Sequence, residues 1–196
     1  IIIPMRNMVL FPGVVLPIGV GRDRSIAAAQ EATRSQRPVG LILQRDPEVA
    51  DPKGADLYQI GTTAAILRYL TAPDGSHHLV CQGQQRFRVI EFLDGYPYLV
   101  ARVERIDETT VHGADIDARL HQLKQRALDA LQLLPNAPAE LATAVQGMNS
   151  PSGLADMITS FMDLKPAEKQ EILETVDDLV PEGELQQGLR HSPVGV

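Results

Sequence analysis

Residues 5 to 26 read Met5-Arg6-Asn7-Met8-Val9-Leu10-Phe11-Pro12-Gly13-Val14-Val15-Leu16-Pro17-Ile18-Gly19-Val20-Gly21-Arg22-Asp23-Arg24-Ser25-Ile26. This stretch contains two apolar runs, each short enough for a strand, and Pro12-Gly13 separates them as a turn. A corner of small residues then leads into a helical segment headed by Asp23 and Ser25. The stretch therefore predicts a strand, a turn, a second strand and a helix.

The rest of the first 107 residues continues as short β-prone segments punctuated by turns. One Ala-rich helix is expected at 25–36, and Gly83 is expected to end a strand. The other predicted strands are 39–44, 60–70, 78–82, 86–92 and 98–106. Many short strands with one early helix indicate a small, strongly bent sheet or a partly closed barrel.

The second half changes to helical periodicity. Apolar residues recur at helical spacing over 115–134, and a second helix is expected at 139–145. Ser150 and Pro151 are a typical cap and first residue of a third helix, and a fourth follows Pro166. We therefore expect three parts. They are a β-rich lobe over 1–107, a helical lobe over 113–180 and a partly ordered tail over 181–196.

Composition excludes several classes of protein. The chain has 196 residues, a net charge of -7 and a pI near 5.2, so it lacks the basic surface that nucleic acid requires. No apolar run approaches the ~18 to 20 residues of a membrane span. We expect neither a membrane nor a nucleic-acid partner, and we expect a cytoplasmic location.

Cysteine and histidine usage argues against a metal site. Cys81 is the only cysteine, so neither an intramolecular disulfide nor a Cys-based zinc site is available. We expect it to be a small buried residue on a strand. His77 and His78 are adjacent, and neighbours on a strand face opposite ways, so they are expected to be solvated turn residues with no shared metal.

Motifs of catalysis are also missing. The chain contains no G-x-x-x-x-G-K-[ST] phosphate loop and no G-x-S-x-G nucleophile motif. The segment from Gly19 to Arg24 begins like a dinucleotide-binding fingerprint, but Arg24 replaces its third glycine. We predict no catalytic residue, no cofactor and no enzymatic activity within this chain.

Several segments resemble the N-terminal domain of Lon-type ATP-dependent proteases. The opening stretch has that family's "FPG...LP" centre and its Gly-Arg-acid-base-Ser-Ile exit. Five further segments match in the same order, and together with the opening they cover most of residues 3 to 178. The sequence departs from the family after Asp178, where a glycine-containing segment replaces a long helix. The matching segments are 44–52, 56–62, 79–86, 150–156 and 169–174.

The resemblance implies an α+β fold. It would comprise an N-terminal β-rich, PUA-like pseudobarrel with one short helix, followed by a C-terminal α-helical bundle lobe. It also implies a bacterial parent protein that is an ATP-dependent serine endopeptidase, uses ATP and Mg, assembles as a hexamer and degrades unfolded or damaged proteins. The catalytic parts of such a parent would lie outside this chain.

Binding is the activity that the remaining residues could perform. Apolar groups, among them Pro17, flank the first turn and the ends of later strands, and exposed together they would hold extended polypeptide. The alternative is that they belong to the core, which we favour for Val15 and Tyr98. Charged residues at the helix entrance ordinarily cap the helix, and the resemblance implies a role in handling substrate. The candidates are Phe11, Pro12, Val14, Val15, Arg22, Asp23, Arg24, Tyr69, Leu70 and Tyr96.

Three hypotheses of function follow. The first is a substrate-recognition and assembly domain of a Lon-type protease, which weakly binds unfolded polypeptide and passes it to the ATPase. The second is a stand-alone module that binds another protein or a small ligand, which the altered segment after Asp178 motivates. The third is an RNA-binding PUA-like domain, which the acidic charge disfavours.

Overall fold

The structure is a computed structural model that describes residues 1–107, 114–132 and 139–175. Strands, one α-helix and a short 3₁₀ helix at Gly54–Asp56 form the first part, and helices form the second, so the predicted mixture of α and β is confirmed. The strands are β1 Ile2–Met5, β2 Val15–Val20, β3 Val39–Leu43, β4 Ile60–Thr71, β5 His77–Leu93 and β6 Val100–Arg105. The helices are α1 Asp23–Ser35, α2 Ala114–Gln132, α3 Ala139–Gly147, α4 Pro151–Phe161 and α5 Pro166–Thr175.

All six strands belong to one sheet, in which β1, β3, β4 and β5 are neighbours in that order. The long strand β5 has β4 along one edge, and its other edge is shared by β2 near the start and β6 near the end. The N–H of Ile2 donates to the carbonyl of Leu99, just before β6, at 2.8 Å. This bond joins the two ends of the sheet, which therefore curls into a small barrel.

The curled sheet has an apolar core on each face. Phe87 is fully buried among Ile2 and Ile42 on one face, and Gly40 and Gly61 leave the space that its ring occupies. On the other face α1 packs its alanines against β1 and β4, because small side chains let the helix lie close to the sheet. The alanines are Ala28, Ala29 and Ala32.

A buried ion pair joins α4 to the sheet. The guanidinium of Arg86 on β5 contacts the carboxylate of Asp156 on α4 at 2.6 Å, and both side chains are almost fully buried. Arg86 Nε also donates to the carbonyl of Leu173 at 3.0 Å, and Gln170 Nε2 donates to the carbonyl of Ile60 at 3.0 Å. Polar contacts therefore hold α4 and α5 against the barrel, while the division into lobes at 107 and 113 stays a prediction.

The opening of the chain differs from the sequence prediction. The first strand is β1, before the apolar run 8–11, and that run is irregular although Val9 to Phe11 are buried. Gly83 does not end a strand, because β5 continues through it. A side chain at Gly83 would collide with the carbonyl of Phe11. Glycine is therefore needed there for close approach of the backbone and not for a break.

The helix caps follow local chemistry. Ser150 Oγ accepts a hydrogen bond from the N–H of Gly153 at 3.2 Å, and Pro151 is the first residue of α4, as predicted. Helix α1 begins at Asp23, two residues earlier than expected, and ends against Gln36 in a left-handed conformation. The predicted tail over 181–196 lies outside the described residues. Across the described ranges, no helix is both long enough and apolar enough to span a membrane.

Candidate functional site

The strands β2, β5 and β4 expose apolar side chains on one surface. The register places Pro17 on β2 opposite Val80 on β5, with Val15 two residues from Pro17 on the same face. On β4, Leu70 is opposite a neighbouring position of that face of β5, and Leu67 lies at a bulge beside it. Val15 and Leu70 are each 47% exposed and Leu67 is 56% exposed. We call Val15, Pro17, Leu67, Leu70 and Val80 the apolar face.

The alternate residues of the same strands point into the core. Ile18 on β2 pairs with Leu79 on β5, which pairs with Tyr69 on β4, and the first two are buried. The Tyr69 hydroxyl hydrogen-bonds His77 Nδ1 at 2.7 Å. Tyr69 therefore packs against the core side of the sheet, whereas its neighbour Leu70 lies on the apolar face.

The candidates around the first turn separate into core and surface. Phe11 is completely buried and Val14 is 9% exposed, so neither offers a contact surface in this conformation. Val15 was expected in the core and that expectation is wrong, because β2 turns it to the outer face. Pro12 is half-buried and lines a cavity of about 590 Å³ with polar neighbours, away from the apolar face.

Tyr96 lies apart from the other apolar candidates. It is 50% exposed in the connection between β5 and β6, and its ring stacks on that of Tyr98 with centroids 6.5 Å apart. Tyr98 itself is half-buried and packs against the core, as expected. Because β2 pairs with the opposite end of β5, Tyr96 does not join the apolar face.

Arg22 braces the entrance of α1. Its Nη2 donates to Gln44 Oε1 at 2.6 Å and its Nη1 to the carbonyl of Pro4 at 3.3 Å. The buried Gln44 amide in turn donates to the carbonyls of Asp46 and Val49 at 2.6 and 3.2 Å. Arg22 therefore connects the ends of β1 and β3 with the loop that follows β3.

The other two charged candidates stay at the surface. Asp23 is exposed in the first turn of α1, where a negative charge is favourable. Arg24 lies 3.6 Å from Asp51 with both side chains substantially exposed, so their pairing contributes little stability. The structure thus gives the three adjacent residues three different environments.

Cys81 is buried, as expected, and burial raises the pKa of its thiol to about 11. We expect the folded chain to react slowly with iodoacetamide at pH 8, whereas the urea-unfolded chain reacts as an ordinary thiol. Because the folded chain holds the thiol proton more tightly than the unfolded chain, the contribution of Cys81 to the free energy of unfolding is fully present below pH 9. That contribution is lost as pH rises from about 9 to about 11. Mass spectrometry of labelling against time measures the rates, and equal rates in both states would contradict the burial.

Sequence reasoning missed Leu67 and Val80 on the apolar face. Alternation along β4 is interrupted by a bulge between Ile66 and Arg68, and the sequence does not mark its position. Val80 is next to the cysteine that was correctly assigned to a strand, and alternation alone could have placed it on the opposite face.

Comparison with solved structures identifies the fold. The N-terminal domain of the Mycobacterium avium complex Lon protease superposes with a TM-score of 0.69, covering 90% of this chain and 95% of that one at 22% identity. A Lon N-terminal domain protein from Xanthomonas campestris gives 0.61, covering 98% and 97% at 18% identity.

Sequence relatives have closer similarity. Lon protease of Methylocella silvestris is 50% identical over 177 residues, and Lon protease of Phenylobacterium zucineum is 49% identical over 178 residues. Each match covers 90% of this chain and 22% of the relative, so the chain spans about a fifth of these proteins. The model of the ATP-dependent protease La (LON) substrate-binding domain matches residues 1–178. The chain therefore belongs to the family of Lon substrate-binding domains.

Proposed function

We propose that this chain is the substrate-recognition and assembly domain of a Lon-type ATP-dependent protease. It binds unfolded or damaged proteins through exposed apolar segments and delivers them to ATPase and protease parts that lie outside these residues. ATP, Mg and the serine endopeptidase chemistry belong to those parts. In this proposal the parent is a cytoplasmic hexamer.

The observation that carries the proposal is the apolar face. Aliphatic side chains of three adjacent strands share it, and folded soluble proteins rarely leave such groups together in water without a partner. Folded substrates keep their apolar side chains inside, so the face discriminates unfolded from folded protein by what each exposes. The register also places the exposed Arg68 opposite Val80, so a cation borders the aliphatic side chains of the face.

Single-site binding by such a shallow face should be weak. Several copies in one ring raise the effective concentration of the second and third contact, so that avidity replaces tight binding at one site. Weak individual contacts also let a polypeptide leave each copy and move toward an ATPase. Assembly is thus part of the recognition mechanism in this proposal.

The proposal is tested by fluorescence anisotropy with one labelled protein in an unfolded and a folded form. We expect the chain to bind the unfolded form only, and we expect the Val15→Ser, Leu70→Ser double variant to weaken binding about tenfold by removing apolar area. Phe161→Ser is the matched control, because Phe161 is 62% exposed but lies on α4.

The control also distinguishes binding at the apolar face from non-specific binding by any exposed apolar side chain. If Phe161→Ser weakens binding as much as the double variant, capture is a general property of exposed apolar groups and the apolar face is not the site. Equal binding of folded and unfolded forms would contradict the proposal and favour a module that recognises a folded partner.

A further inference from the structure

A groove of about 440 Å³ lies between β1 and β2. One wall is the end of β1 with residues 6–8, and the other is residues 18–20 of β2 with Arg22. In the described part of the chain, β2 pairs only with β5, and β1 pairs with β3 and, at Ile2, with Leu99. The groove therefore separates two strand edges that have no strand between them.

The direction of the β2 backbone follows from its bonds to β5. The N–H of Gly83 donates to the carbonyl of Val14 at 2.8 Å, so the Gly83 peptide groups point at β2. Backbone groups alternate in direction along a strand, so those of Leu79 also point at β2. Ile18 is opposite Leu79, so its N–H and C=O form the matching hydrogen bonds with the C=O and N–H of Leu79. The N–H and C=O of the next residue, Gly19, must therefore point away from β5 toward the free edge.

Pro17 agrees with this assignment. Its backbone groups point away from β5, as those of Gly19 do. Proline is accepted in a strand at such a position, because its missing N–H faces no neighbouring strand. Gly19 supplies a donor and an acceptor in the wall of the groove, and neither is bonded by another described residue. An unpaired donor and acceptor at an edge are what an added strand requires.

The groove is cationic although the whole chain has a net charge of -7. Among the described residues that line it, Arg6 and Arg22 are the only charged ones. Burial and, next, the charge of Arg6 lower the pKa of Arg22, which places the two cations near one another. Arg22 bonds neutral oxygens, and neither arginine has a carboxylate within ion-pair distance among the described residues. The nearby Asp51 is paired with Arg24.

We propose that this groove binds an extended polypeptide segment containing an Asp or Glu side chain. The segment adds as a strand to the free edge of β2 through Gly19, and its carboxylate lies at Arg6 and Arg22. Four strand residues span about 13 Å, so a short segment suffices. The site is separate from the apolar face, and it selects backbone conformation and negative charge where that face selects apolar side chains.

The experiment uses the whole chain and a fluorescein-labelled octapeptide of alternating threonine and serine with one central glutamate, which offers the apolar face no aliphatic side chain to bind. Gly19→Pro removes the outward donor and is expected to raise Kd about tenfold. Arg6→Gln is expected to raise Kd about threefold, and replacing the peptide's glutamate with glutamine should do the same. Binding should also weaken as NaCl is raised from about 50 mM to about 500 mM, because the Debye length shortens and the attraction between the arginines and the glutamate is screened.

Two controls separate this site from the rest of the surface. Arg102→Gln removes an exposed arginine of β6 and should leave Kd unchanged, as should the Val15→Ser, Leu70→Ser variant. Circular dichroism and the urea midpoint establish that Gly19→Pro is folded. Equal binding of the glutamate and glutamine peptides, full binding by Gly19→Pro, or no binding by the unaltered chain would overturn the proposal. If only the Val15→Ser, Leu70→Ser variant lost binding of the peptide, the groove would likewise be excluded as its site. Binding of unfolded protein is measured independently, so either proposal can fail without the other.

Discussion

Replacing Arg86 with methionine is expected to lower the free energy of unfolding by about 3–5 kcal/mol, because it removes the guanidinium that the buried Asp156 carboxylate contacts. The loss of the bond from Arg86 Nε to the Leu173 carbonyl adds to the same effect. Urea unfolding followed by circular dichroism measures the change as a shift of the midpoint. A loss below about 1 kcal/mol would contradict the buried pair.

Exposed arginine provides the matched control for this prediction. Arg102 contacts Glu91 at 3.1 Å with side-chain exposures of 69% and 49%, so Arg102→Met should cost less than about 1 kcal/mol. The double variant Arg86→Met, Asp156→Leu should recover much of the lost stability, since both charges of the buried pair are then removed together. Recovery cannot be complete, because the Leu173 carbonyl still lacks its donor. Coupling between the two substitutions would attribute the stability to the pair itself.

Local features of the fold could be predicted from sequence. Ser150-Pro151 marks the start of α4 because a hydroxyl accepts from free amides and proline needs no donor at the first position. The burial of Cys81 follows from its place in an apolar run, and the tight turn after Pro73 follows from Gly75, whose φ of 84° suits glycine. Each of these depends on residues only a few positions apart.

Features that depend on distant residues could not be predicted. Arg86 and Asp156 meet across 70 positions, and each taken alone resembles a surface charge. Phe11 and Val15 are both apolar and flank one turn, yet one is fully buried and the other half exposed. Val15 faces outward because of the pairing register of β2 with β5, whereas Phe11 lies in the irregular run before β2, where its backbone contacts Gly83. The groove beside Gly19 likewise depends on distant residues, because it exists only where β1 and β2 lie without pairing with each other.

Phe11→Ala is expected to lower the free energy of unfolding by about 3–5 kcal/mol, because it removes a fully buried ring from the larger core. Phe11 also holds its turn against Gly83, where the two backbones are in close contact. Val15→Ala, only four positions later, should change stability by less than about 1 kcal/mol because the side chain is half exposed. Urea unfolding of both variants under the same conditions measures the contrast.

The contrast also determines how binding data on this turn are to be understood. Phe11→Ala would weaken capture of unfolded protein by reducing the folded fraction, whereas Val15→Ala would weaken it with the fold intact. Phe11→Leu keeps most of the buried volume, so it should restore both stability and binding. If Phe11→Ala instead remained fully folded and lost binding, Phe11 would have to reach the surface in a second conformation. Such a result would return Phe11 to the contact surface, where the sequence first placed it.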